Sequence, residues 1–501
     1  MISSTDSLPS ARGRWLVLTA ALLGWMFDGL EMGLFPLVAP DALRDLLVPQ
    51  EQISKWIAVI TAGFLVGAAT GGVLFGWLGD RIGRVRAMTL SVLTYAIFSG
   101  VCGFATEAWQ IAFFRFIASL GMGGEWSLGV ALVMEVWPNR SRAWLAGIIG
   151  AAANLGYCII GLVSLGLSYL IVDLRELLVS LGLSSGEVEW LTRNNGWRIL
   201  MMCGAMPALL TFLIRLFVPE SNRWEREKAR GSTSHWSTPD LLAVLVGAAA
   251  ASGIVYLMVT EVPTLVRIGG CLLLFVVALL GYLYPILRYV QRASTPEERA
   301  SGMVPFIIRR LLLAAILSGV ALLGTWGTTQ QLPTWAHDLT KGMEINSRVK
   351  PIVQMATALG AVFGCILAAL MGDWLGRRWT YTLLCVASMG AIWNLFLLND
   401  SYGPRLVISA FVAGFITASF YGWLPLYLPE LFQTKLRATG QGFGFNFGRI
   451  LAAIGVLQLP TIMREMNVGW PEACSTLALI YLVGMGVIWL APETKGKPLP
   501  E

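Results

Sequence analysis

The chain has 501 residues, of which 56% are hydrophobic and 13% charged. A soluble domain carries about 25% charge, so a water-filled enzyme fold and a nucleic-acid binder are poor readings, and the net charge of +6 is read as short basic loops between apolar segments. Seven cysteines, without Cys-x-x-Cys or Cys/His spacing, read as small buried hydrophobes rather than disulfides or metal ligands.

Residues 1–14 form a polar leader that ends in Arg12 and Arg14. The stretch that follows is too long and too interrupted by charge for a cleaved signal peptide. Spans are expected at 15–40, 55–77, 87–105, 109–135, 144–171 and 198–218, giving an N-terminal six-helix bundle over 15–218. A cytoplasmic linker, 219–309, contains two more apolar runs, 240–260 and 266–288. Spans at 310–337, 349–371, 379–398, 404–432, 439–463 and 471–491 make a C-terminal bundle over 310–491, and 492–501 is a cytoplasmic tail. That is about fourteen membrane helices, each near the ~20 residues a bilayer needs. The alternative for 240–288 is a buried hairpin in a cytoplasmic domain. Spanning length and the preserved sidedness of the later loops favour two further spans.

Basic residues such as Arg81, Arg84, Arg86, Arg309, Arg310, Arg377 and Arg378 fall in alternate loops, which the positive-inside rule makes cytoplasmic, with both termini. The mixed-charge loop at 172–197 is expected outside. Three strings occur twice. Gly76-Trp77-Leu78-Gly79-Asp80-Arg81-Ile82-Gly83-Arg84 is matched by Met371-Gly372-Asp373-Trp374-Leu375-Gly376-Arg377-Arg378, Glu135 with Arg140/Arg142 by Glu430 with Lys435/Arg437, and Pro219-Glu220-Ser221 by Pro492-Glu493-Thr494. Three matches in register mark a duplicated bundle. In each turn Asp80 or Asp373 is expected to meet a helix N-terminus of the opposite half, with Arg84 or Arg377 closing a salt bridge. Gly79 and Gly83 permit the chain reversal. Together with Glu135, Arg142, Glu430 and Arg437 they form a candidate cytoplasmic gate.

Ionisable groups at membrane depth mark pathways: Asp28, Glu31, Arg115, Glu125 and Arg449. Asp28 and Glu31 share a helical face. Two carboxylates that close do not both ionise easily in a low-dielectric site, so one is expected to hold a proton. Asp28 lies about 20 Å up helix one and Arg115 about 9 Å down helix four, which brings Arg115 to the carboxylates' level. An Asp28–Arg115 pair serves either coupling or architecture. Glu125, about 15 Å deeper, is a second proton station or a backbone partner. Arg449, about 15 Å into helix eleven, is the favoured carboxylate ligand, with Arg115 second. Asn446, Gln330, Gln331 and Tyr421 are candidates for hydroxyl or amide contacts.

These turns, and the Pro-Glu strings at the ends of helices six and twelve, resemble those of the major facilitator superfamily. Asp28-Gly29-Leu30-Glu31 resembles the helix-one signature of bacterial organic-acid/proton symporters, with Glu for a second Asp, and 115–126 resembles their fourth helix. The inserted pair is similar to that of the sialic acid permeases. The resemblance implies an all-α membrane protein of two six-helix bundles around a central cavity, working by alternating access. It implies proton-coupled uptake of a small anion such as sialic acid, with aromatic or other organic acids, or a sugar, as alternatives. A drug/proton antiporter lacks its helix-five Gly-Pro pair here, and a non-transporting sensor lacks its long tail. No phosphate loop, metal cluster or catalytic triad suggests an enzyme. The expected partners are an anionic solute, protons and the lipid bilayer of a bacterial inner membrane, with no cofactor, no metal and no nucleic acid, for a monomer.

Overall fold

The computed structural model describes residues 11–137, 142–205, 209–210, 215–216, 220, 222–231, 237–293 and 303–500, without the side chains of 11–14, 51, 135–136, 222–223, 227, 293, 347 and 435. The described residues are helical nearly throughout. The first half contains α1 (Ala11–Asp45), α2 (Gln50–Ile82), α3 (Arg84–Val101), α4 (Ala108–Val136), α5 (Arg142–Ser180) and α6 (Ser185–Cys203). After the short α7 (Asn222–Ala229) come the inserted helices α8 (Leu241–Val259) and α9 (Thr264–Ala293). The second half runs through α10 (Met303–Trp326), α11 (Leu332–Leu339), α12 (Asn346–Leu375), α13 (Arg377–Leu397), α14 (Pro404–Thr417), α15 (Phe420–Tyr427), α16 (Arg437–Glu465), α17 (Trp470–Leu477) and α18 (Ile480–Val487). Among the described residues, thirteen helical stretches are long and apolar enough to cross a membrane. The sixth expected span, 198–218, falls partly outside the described residues.

Two expected spans are broken. The span expected at 310–337 stops at Trp326 and resumes at Leu332, because Gly327 and Thr328 (φ −129°, ψ −84°) interrupt the ladder. The span expected at 404–432 breaks between Thr417 and Phe420. Such breaks free backbone and side chains at membrane depth, and transporters use them to line cavities. The expected outer loop at 172–197 is instead mostly helix. α5 continues to Ser180, and Ser184 starts α6 with a capping box to Glu187. Leu170, Leu174, Leu177 and Leu178 are good helix formers that prolong α5. Asn194, Asn195 and Gly196, all at positive φ, put a kink into α6.

The duplicated turns share one geometry. Gly83 (φ 116°) and Gly376 (φ 95°) each end one helix and begin the next in a conformation that only glycine adopts freely. Glycine supplies no capping side chain, so the cap comes from afar. Glu220 accepts from the backbone N–H of Arg84 at 2.8 Å and of Val85 at 3.1 Å, and Glu493 from those of Arg377 and Arg378, both at 3.1 Å. Gly79, in contrast, is ordinary helix in α2, set against Leu128 of α4.

The halves meet along two seams, α2 against α16 and α5 against α12. α8 and α9 lie over the first seam. Tyr282 hydrogen-bonds Thr70 of α2 at 2.8 Å and sets its ring 6.0 Å from Phe447 of α16. Arg292 ties the base of the pair to Asp240 at 2.5 and 2.9 Å.

Candidate functional site

Between the halves, at mid-height, is a cavity with about 780 Å³ of empty space. Six aromatic rings line it: Trp25, Trp126, Tyr157, Trp326, Tyr421 and Phe445. Trp126 and Phe445, from opposite halves, stack at 3.8 Å and 9° and close its lower side. Gln330, at the break after α10, also faces the cavity and donates to the Tyr157 hydroxyl at 3.4 Å. The threonines in the wall are spent on backbone carbonyls: Thr325, Thr329, Thr357 and Thr417 each donate to a carbonyl four residues back.

Arg449 stands in this wall, 4% exposed. Its Nε and Nη1 have no hydrogen-bond partner, and no acid among the described residues pairs with it. Its face rests over the Phe445 ring at 5.2 Å, and Asp28, Tyr157 and Tyr421 are the groups close enough to act on its charge. A desolvated guanidinium without a counter-ion is costly, and its planar fork matches a carboxylate.

The acids of the N-terminal half are arranged otherwise than expected. Arg115 pairs with Glu31 at 2.9 Å, not with Asp28, and Ser99 donates to the same oxygen at 3.2 Å. Arg115 is also held between the rings of Phe35 and Phe64, at 4.6 and 4.8 Å. It lines a smaller second pocket, nearer the end opposite the Gly-Asp-Arg turns. Asp28 lies one turn along, in a buried cluster with Glu125, Tyr95 and Arg215, and lines neither pocket. Glu125 is therefore not an isolated station. It forms an ion pair with Arg215, and both side chains fill the space where Gly24 has no Cβ. Asp28 and Glu31 diverge because Arg115 of α4 takes Glu31, whereas Glu125 of the same helix, paired with Arg215, is the carboxylate that faces Asp28.

Of the polar candidates, Tyr421 and Gln330 line the central cavity. Gln331 lines the second pocket, and its amide caps the broken helix through Trp326 O at 2.9 Å. Asn446 is fully buried outside the cavity, where it bridges the halves by donating to Gly123 O at 3.1 Å. Its neighbour Gly72 has no side chain to obstruct it. Sequence reasoning did not single out Asn154, Tyr157 or Trp25 in the wall, nor Arg215.

At the turn end, Asp80 is buried in an ion pair with Arg84 and accepts from the Thr439 backbone N–H at 3.1 Å and from its hydroxyl. Thr439 lies in the first turn of α16, so an acid of one half sits on a helix start of the other. The second turn does not repeat this. The Asp373 side chain is 62% exposed and 3.6 Å from Arg377, while Arg377 grips Glu430 at 2.7 and 3.0 Å. The carboxylate of Glu430, not that of Asp373, reaches the other half, at Arg142, 3.7 Å away. The tail adds two ties: Arg142 donates to Lys497 O at 2.9 Å and Arg437 to Pro500 O at 2.7 Å. The side chains of Glu135 and Lys435, and all of Arg140, lie outside the described residues.

Two duplicated helical bundles around a polar-edged cavity define a membrane transporter of the major facilitator fold. The family profile described as "Sugar (and other) transporter" matches residues 29–239 and 262–496, and the chain belongs to that family of transporters, not to an enzyme family. The profile match breaks over the whole of α8, the first inserted helix. The niacin transporter NiaP of Acinetobacter baylyi is 25% identical over 504 residues, covering 100% of this chain and 98% of its own. The sialic acid transporter NanX of Escherichia coli is 21% identical and covers 90% and 86%. Among solved structures, the proton:xylose symporter XylE of E. coli superposes with a TM-score of 0.68 at 16% identity, covering 97% of this chain and 98% of its own. That likeness concerns the fold alone.

Proposed function

We propose that the protein is a proton-coupled importer of a small carboxylate with a flat aromatic or conjugated body. The observation that carries this reading is Arg449, a buried guanidinium that no carboxylate contacts, in the wall of an aromatic cavity. A carboxylate supplies the missing charge, and the six rings supply stacking surface. With the wall threonines engaged, few free donors remain for a polyhydroxylated sugar acid. This favours a body like that of niacin, which a full-length relative carries, over sialic acid.

Charge balance supplies the coupling. Three carboxylates of the N-terminal half, Asp28, Glu31 and Glu125, face two arginines, Arg115 and Arg215. Asp28 is the one in excess, and its charge reaches Arg449. Protonating Asp28 removes that opposing charge, and an arriving anion replaces it at Arg449. Proton and anion then enter together, and the loaded cavity carries no more net charge than the empty one. The turn end is cytoplasmic by the positive-inside rule. The Asp80–Thr439 and Arg142–Glu430 contacts hold it shut until the loaded protein reorients, with the chain a monomer in the bacterial inner membrane.

The test is uptake into proteoliposomes of benzoate, nicotinate, sialic acid and glucose, with and without an inside-alkaline gradient. Benzoate or nicotinate should accumulate with the gradient, faster and further than in protein-free liposomes under the same gradient. Accumulation of no carboxylate, or accumulation indifferent to the gradient, overturns the reading.

A further inference from the structure

The far end of the bundle, opposite the turns, contains a third cavity with about 980 Å³ of empty space, larger than the central one. α1, α5 and the α6 kink wall it on one side, and α11 and α12 on the other. Asp41, Arg44, Asn195, His337, Lys341 and Lys350 line it. Lys350 is 5% exposed, yet its nearest acid, Asp41 Oδ2, is 3.8 Å away. That is too far for a direct hydrogen bond, so the ammonium protons are left facing the cavity. Asp41 is already shared: Arg44 approaches it at 3.3 Å and the Asn195 amide at 3.2 Å. Lys341 has its own partner in Asp338 at 2.8 Å. Three cations thus meet two carboxylates, and the uncompensated charge sits at the most buried of the three, Lys350. A buried ammonium of this kind calls for an anion.

We propose that this cavity is a second anion site, which collects the solute's carboxylate at Lys350 before it moves on to Arg449. The proposal rests on the anionic-solute reading above. Asp41 belongs to α1 and Lys350 to α12, so their contact also joins the two halves. A carboxylate that takes Lys350 competes with Asp41 and loosens that join. Arrival of the anion and opening of the far end are then one event. The second pocket, lined by Arg115 and Gln330, shares Met32, Trp326 and Gln330 with the central cavity but no lining residue with this one, whose α5 and α12 walls continue down to Tyr157 and Thr357 of the central cavity.

The site's charge is read independently of transport. Ser168 lines the cavity, and no native cysteine does. In Ser168→Cys, the anionic sulfonatoethyl methanethiosulfonate should react from outside roughly fivefold or more faster than the cationic trimethylammonioethyl reagent, after correction for their rates with a free thiol. The unsubstituted chain is the blank. Adding Lys350→Gln should abolish that preference. In uptake of the carboxylate that the panel selects, Lys350→Gln should raise KM by roughly fivefold or more and leave kcat within about twofold. Equal corrected rates for the two reagents, a preference that survives Lys350→Gln, or an unchanged KM each overturn the proposal. An anion preference lost on Lys350→Gln together with a panel that yields no transported carboxylate upholds the site and overturns the importer reading instead.

Discussion

Asp28 has no arginine to itself, whereas Glu31 has Arg115 and Glu125 has Arg215. If its proton is the coupled one, Asp28→Asn fixes the site in the neutral form. Gradient-driven accumulation should then fall to equilibration, with counterflow exchange of labelled for unlabelled carboxylate continuing. Accumulation that survives the substitution assigns coupling to another group. Arg449→Lys keeps the charge and loses the fork. KM should rise roughly tenfold, the equivalent of about 1.4 kcal/mol, and an unchanged KM moves the ligand site elsewhere. All five buried ionisable residues chosen from the sequence are buried in the structure, because charge inside an apolar run is visible in one dimension. Their partners are not visible in this way. Helix depth puts Arg115 near the level of both Asp28 and Glu31, and a difference of one turn decides which is paired. Arg215 carried the same signal, a lone cation in the run Phe212-Leu213-Ile214-Arg215-Leu216-Phe217, and it changes the meaning of Glu125.

At the scale of elements, the duplicated Pro-Glu strings gain a physical role as remote helix caps. Four backbone contacts converge on Glu493, from Arg377, Arg378, Thr494 and Lys495, and they outweigh its partial burial to hold its carboxyl below the usual range. A carboxylate with a lowered folded pKa contributes stability above its unfolded pKa, and loses it as pH falls through the folded value. Glu493→Gln should therefore cost about 1 kcal/mol at neutral pH, on the order of 1 °C in a chain of this length. The difference should close as pH drops below the ordinary carboxylate range. Thermal unfolding in detergent at several pH values checks this, and a deficit that is the same at every pH refutes the cap. The repeat was legible because identical turns need identical residues. The break at Ser419 was not, since the run from Phe411 to Leu428 is largely apolar; the break at Thr328 left a signal that went unread, the polar string Gly327-Thr328-Thr329-Gln330-Gln331 before Pro333. The long reach of α5 was hidden for the opposite reason: mixed charge at 173–176 suggested a loop where leucines sustain a helix.

For the whole molecule, the latch proposed at the turn end is asymmetric. One acid, Asp80, is buried across the α2–α16 seam, whereas Asp373 is exposed and leaves its task to Glu430. Charge-assisted hydrogen bonds are worth about 1.5–3 kcal/mol, and a loss of 1.4 kcal/mol changes a population ratio tenfold. Asp80→Asn keeps the shape and removes the charge that favours the start of α16, so it should move the resting equilibrium toward a state open at the turn end by roughly tenfold or more. Asp373→Asn, already in water, should move it little. Ser127 reports this state: it is fully buried at the α4–α16 contact, next to Gly442. In inside-out vesicles, N-ethylmaleimide should label Ser127→Cys slowly on the native background, roughly tenfold faster with Asp80→Asn and at nearly the native rate with Asp373→Asn. The two substitutions remove the same charge from equivalent positions of the repeat, so the comparison isolates burial across the seam from charge as such. Equal acceleration by both would mean that the turns act by topology and general electrostatics. Acceleration by Asp80→Asn alone would mean that one half of the duplicated protein keeps the latch and the other has passed it to Glu430 and the C-terminal tail.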